Sequence, residues 1–165
     1  VEQRRKQAFE AFDAVIYRRF GVHGRQFGSG VNGFQLQTSD IDISVLLPRS
    51  VQEEVLADAH RQRAEAGATG EVKAEDPSWG FLASKRPMQA ACVAAVRLLG
   101  LSLREEIDLH VVEVVESARV PIIKCKYRCD GGEIGTDSGE KDPAKASDKQ
   151  EFEVDISFCN EVAYF

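Results

Sequence analysis

No stretch of this chain is apolar for the roughly 18 residues that a membrane-spanning helix needs, so no transmembrane span and no membrane partner are expected. The N-terminal run Val1-Glu2-Gln3-Arg4-Arg5-Lys6 has no apolar segment behind it, so no signal peptide is expected. Cysteine is too sparse for a disulfide scaffold: Cys92, Cys125, Cys129 and Cys159 are the only four. A reducing, intracellular compartment is expected, cytoplasmic or organellar (mitochondrial). Cys125 and Cys129 form a lone C-x-x-x-C without a second ligand pair, and cysteines flanking a strand explain them better than a zinc site. Positive charge is also in deficit. The net charge of −6 excludes a protein that coats nucleic acid by bulk attraction, although metal ions can supply positive charge locally near phosphates. His23, His60 and His110 have no ligand spacing and receive no catalytic role.

What is present is enough for one domain, with 165 residues of which 43% are hydrophobic. Phe9, Phe12, Ile16 and Phe20 recur at helical spacing over 1–20, with Arg4, Arg5, Arg18 and Arg19 placed elsewhere on the helix and Gly21 closing it. Residues 22–27 read as a short strand entering Gly28-Ser29-Gly30. Over 41–47, Ile41, Ile43, Val45 and Leu47 point one way and Asp40, Asp42, Ser44 and Leu46 the other. Pro48 ends that strand, and Ser50 with Glu53 suggests a capping box for a helix over 51–66. Residues 67–86 and 130–150 read as loop insertions, the second one mobile. Trp79 and Phe81 in the first are expected to pack against the domain and not to stack a base. A helix over 87–99 is opened by Pro87 and closed by Gly100. Strands follow at 111–115, 120–124 and 151–158. The order gives an α/β mixture whose late section is mostly antiparallel.

Asp40 and Asp42 stand two apart, so strand geometry puts both carboxylates on one face. Two adjacent anions repel, and strands are normally poor in Asp, so an oxygen-seeking divalent cation is the natural offset. The last strand repeats the pattern, with Glu151, Glu153 and Asp155 opposite Phe152, Val154, Ile156 and Phe158; Glu151 and Glu153 read as a solvated sheet surface. Ten residues before Asp40, Phe27-Gly28-Ser29-Gly30 offers backbone N–H groups and a hydroxyl suited to phosphates, with Gly28 permitting close approach.

Phe27 to Phe34, followed by Thr38-Ser39-Asp40-Ile41-Asp42-Ile43, resembles the signature of the DNA polymerase β-like nucleotidyltransferases, and within them the terminal uridylyltransferases and noncanonical poly(A) polymerases. Ala118-Arg119-Val120-Pro121-Ile122-Ile123-Lys124 and Val154-Asp155-Ile156-Ser157-Phe158 resemble that family's second catalytic strand pair. The resemblance spans residues 5–160. It implies an α+β nucleotidyltransferase palm: a mixed, mostly antiparallel sheet with helices packed on one face. It implies that Asp40, Asp42 and Asp155 hold two Mg²⁺ ions, Mn²⁺ being an alternative, and that Gly28 and Ser29 bind the triphosphate of UTP or ATP. Asn32 and Gly33 are equally explained by turn formation, and Lys124 as a structural or phosphate-facing residue. The implied reaction is template-independent addition of UMP, or of AMP, to an RNA 3′ end. The 130–150 loop is longer than the turn usual in that family, and the family's helical second domain is not in this sequence, so residues 1–165 are expected to be the palm piece of a longer protein. Two other readings are a catalytically silent palm that binds RNA or acts as a scaffold, and a small-molecule nucleotidyltransferase.

Overall fold

In a computed structural model, residues 2–28, 40–68, 87–129 and 150–158 are described. Helix α1 (Glu2–Phe20) buries Ala8, Phe12, Val15, Ile16 and Phe20, whose spacing keeps one stripe against the sheet. Gly21 ends it in the left-handed region (φ 68), where a glycine is not strained, and its N–H donates to the Tyr17 carbonyl at 2.8 Å. The strand expected over 22–27 is confined to β1 (Arg25–Phe27). Strand β2 (Ile41–Val45) buries Ile41, Ile43 and Val45 fully, as expected, but Ser44, expected on the polar side with Asp42, is fully buried as well.

Helix α2 (Arg49–Ala68) departs from the expected cap. The first helical bond runs from the Gln52 N–H to the Pro48 carbonyl at 3.0 Å, which makes Pro48 and not Ser50 the residue before the first turn. The Gln52 amide turns back to the Leu47 carbonyl at 2.7 Å, and Glu53 accepts from Arg49 instead of closing a box with Ser50. Helix α3 (Pro87–Glu106) runs straight through Gly100. A Cβ at Gly100 would lie 3.0 Å from Val114 Cγ2, so this glycine sets a close approach of helix to sheet and is not a stop signal. The apolar stripe continues past it through the fully buried Leu103.

Strands β3 (Leu109–Val115), β4 (Ile122–Cys129) and β5 (Gln150–Phe158) complete a five-stranded sheet in the order β1-β2-β5-β4-β3. Among the described residues, only the β2–β5 pairing is parallel. The mixed, mostly antiparallel sheet of the expected α+β palm is therefore the observed one. One face is apolar: Ile43, Val154, Ile156, Phe158 and Ile123 form a single core with Phe12 and Ile16 of α1, Val55 of α2, and Val96, Leu99 and Leu103 of α3. Burying each such side chain contributes about 1.5–3 kcal/mol, so this face fixes which way every β2 and β5 residue points. A one-residue slip of β5 would carry Phe152, Val154 and Ile156 to the solvent side and Asp155 into the core. The other face of the sheet is left to the polar residues.

Candidate active site

The apolar alternation of β2 and β5 leaves Asp42 and Asp155 on the open face, and the parallel register sets them directly opposite each other. Neighbouring strands lie about 4.8 Å apart, so the two carboxylates are adjacent. Asp40, expected within the strand with Asp42, lies one residue before β2 and shares a pocket of about 150 Å³ with Lys124 and Asp155. The structure thus sets Asp42 opposite Asp155 and places Asp40 in a pocket with Asp155. Asp42 carries the electrostatic consequence: burial raises its carboxyl above the ordinary range, the charges of Asp155 and Asp40 raise it further, and Arg5 opposes them.

Gly28 follows β1, whose Phe27 is the register partner of Asp42. Its φ is 79°, and a Cβ there would fall 2.5 Å from Asp42 Oδ2. The backbone passes against the carboxylate so closely that only glycine fits on both counts. Ser29, expected beside it as a phosphate ligand, lies outside the described residues, as do Gly30, Asn32, Gly33, Phe34, Trp79 and Phe81 and most of both loop insertions.

Arg5 is the residue that sequence reasoning misplaces. Its charge groups it with the other arginines away from the apolar stripe of α1, yet it is 4% exposed. Its guanidinium donates to the Asp40 carbonyl at 2.9 Å and lies 5.9 Å over the Phe152 ring. Burial lowers its pKa while Asp40 and Asp42 raise it, so a positive charge is built in beneath the acids. The signal is legible in the spacing: Arg5 falls four residues before Phe9 and seven before Phe12, on the same stripe.

On the open face of β4 and β5, Lys126 pairs with Glu153 at 3.1 Å and Arg128 with Glu151 at 3.1 Å. These are the surface ladder expected for Glu151 and Glu153, and such exposed pairs add little stability. Lys124 reaches Asp155 Oδ2 at 3.5 Å. Cys125 points to the core, and burial pushes its thiol up to about 12.

Among the described residues, no three His, Cys, Asp or Glu side chains already close on a common point as in a formed metal shell. The donors nevertheless suit a hard divalent cation, being carboxylate oxygens alone. Burial is the first cause of the raised proton affinity of Asp42, and the charges of Asp155 and Asp40 add to it; a bound cation would offset that second part.

A mixed sheet whose open face presents facing aspartates from parallel neighbours, beside a glycine turn, defines a nucleotidyltransferase palm. The family described as poly(A) RNA polymerase, mitochondrial-like, central palm domain matches residues 2–165, and the chain belongs to that family. Among solved structures it is similar to GLD-2 in the GLD-2/RNP-8 complex (TM-score 0.56, 15% identity, covering 98% of this chain and 42% of that one). It is also similar to Cid1, an RNA terminal uridylyl transferase (TM-score 0.52, 18% identity, 98% and 31%), and to Cid1 with MgGTP bound (TM-score 0.51, 20% identity, 98% and 33%). At these identities the likeness is one of fold, and the chain spans less than half the length of each. No curated protein matches the sequence.

Proposed function

We propose that this palm carries the catalytic centre of a template-independent RNA 3′-terminal nucleotidyltransferase, with Asp40, Asp42 and Asp155 as its metal-binding acids. The observation that carries the reading is the in-register placement of Asp42 opposite Asp155 on the open face of the sheet. Two divalent cations held by these three carboxylates, Mg²⁺ or alternatively Mn²⁺, would supply the Lewis acidity that activates the RNA 3′-hydroxyl and neutralises the departing pyrophosphate. The Asp155 carboxylate is the acceptor for the proton of that hydroxyl. Gly28 keeps the backbone low enough for a triphosphate to approach the acids, and Ser29 donates its hydroxyl to a β- or γ-phosphate oxygen. Arg5 holds the Asp40 backbone from below, so the acids meet the substrate from a fixed support.

The transferred group is UMP or AMP. The segments Val31–Phe34 and Ala118–Lys124 favour UMP, as does the likeness to Cid1, while the family's description favours AMP. A helical second domain in the full-length protein would form the other wall of the nucleotide cleft and choose between the bases, which leaves residues 1–165 alone with little or no tailing activity. The test is extension of a labelled RNA oligonucleotide by the full-length protein with Mg²⁺ and either UTP or ATP. A ladder is expected, lost in Asp42→Ala while the circular dichroism spectrum is unchanged. Undiminished extension by the Asp42→Ala protein refutes the proposal, and label transferred to a small-molecule hydroxyl in place of RNA would move it to another substrate class.

A further inference from the structure

Lys124 stands in the middle of a row of three in-register residues, with Asp155 on β5 to one side and Glu113 on β3 to the other. All three line the same pocket above the sheet. Its hold on Asp155 is loose. The Nζ to Oδ2 distance is 3.5 Å, against 3.1 Å for the Lys126–Glu153 pair one step along the ladder, and charge-assisted hydrogen bonds run to about 2.7–2.9 Å. The Lys124 side chain is half exposed, so it is not packed into this position. An ammonium on a four-carbon stem is a mobile point charge, and directly opposed residues on adjacent strands lie about 5 Å apart, within its reach on either side.

We propose that Lys124 is a two-position counterion, resting on Asp155 when no cation is bound there and moving to Glu113 when a divalent cation takes its place. Glu113 is then a positioning residue that sets the metal affinity of the site through Lys124. The inference rests on Asp155 being a metal ligand. Without a second acid, an ammonium displaced from Asp155 would stay beside a divalent cation and repel it; Glu113 gives the charge a partner one strand further away.

The experiment is Mn²⁺ binding to the full-length protein without RNA or nucleotide, read by the loss of the free-ion electron paramagnetic resonance signal. Asp155→Asn is expected to lose the tightest site. Lys124→Met, with Lys124→Gln as a second variant should the first fold poorly by circular dichroism, is expected to bind about fivefold more tightly. Glu113→Gln is expected to weaken binding about threefold in the wild-type background and to change it by less than about 1.5-fold once Lys124 is replaced, a non-additivity that a general field effect does not produce. Equal weakening by Glu113→Gln in both backgrounds, or no weakening in either, overturns the counterion proposal and leaves Asp155 as a ligand. Unchanged Mn²⁺ binding by Asp155→Asn would instead remove the functional reading on which the proposal stands.

Discussion

Asp42 and Asp155 face each other across the parallel pairing of β2 with β5, and Asp42, through burial first and then the charges of Asp155 and Asp40, binds its proton more tightly than in the unfolded chain. The sign follows directly. Because the folded state holds the proton more tightly, the stability linked to Asp42 is fullest below the ordinary value of 3.8 and is lost as pH rises through the raised folded value. At neutral pH and without metal, the ionised side chain therefore works against the fold. Asp42→Asn is expected to raise the melting temperature at pH 7 by a few degrees, with the gain fading towards pH 3.8. Mg²⁺ should stabilise the wild type more than the variant. A melting temperature lowered by Asp42→Asn at pH 7 would show that the ionised Asp42 side chain does not work against the fold.

The Gly28 backbone passes directly against the Asp42 carboxylate. Gly28→Ala places a Cβ 2.5 Å from Asp42 Oδ2 on a residue with φ 79°. A loss of about 1–3 kcal/mol in stability is expected, with RNA extension reduced more than roughly a hundredfold as the carboxylate is pushed aside. Urea unfolding and primer extension measure the two separately. An active, stable Gly28→Ala protein would mean that the turn and the acid do not depend on each other.

Arg5 links the first helix to the acids, and its role can be divided by two substitutions. Arg5→Met keeps most of the stem but leaves the Asp40 carbonyl without this donor; about 1–3 kcal/mol of stability and a large part of kcat should go with it. Arg5→Lys keeps the charge but loses the fork, and is expected to recover stability in part. Equal, full activity in both variants would reduce Arg5 to a packing residue.

The acids and the apolar alternation around them are legible in the sequence because a strand repeats every two residues and a mispaired register would bury a carboxylate. Asp42 and Asp155 can each be assigned to the polar face of a strand before any pairing is known. Their mutual opposition cannot, since strand order and direction arise from long-range packing between segments more than about a hundred residues apart. Arg5 escapes because a charge on a helix is read as solvent-facing unless its place on the stripe is weighed above its chemistry. Ser50 and Glu53 match a capping pattern that the Pro48 carbonyl and the Arg49–Glu53 pair displace. Gly100 reads as a helix terminator because local rules register what glycine does to its own backbone and not what lies across from its missing Cβ.

The continuation of α3 through Gly100 yields a test of why this residue is glycine. In a helix interior, Gly→Ala gains about 1 kcal/mol from propensity alone. Here the new Cβ would press on Val114 Cγ2 at 3.0 Å, a side-chain atom that can yield by a few tenths of an ångström at some cost. The two effects oppose, so Gly100→Ala alone is expected to change stability by less than about 0.5 kcal/mol. Val114→Ala removes the obstacle and should be destabilising in itself, but in that background Gly100→Ala should recover about 1 kcal/mol. Urea denaturation of the four proteins in the cycle measures the coupling. If Gly100→Ala has the same effect with Val114 in place as in the Val114→Ala background, the contact with β3 does not select the glycine, and the reason for it must be sought elsewhere along α3.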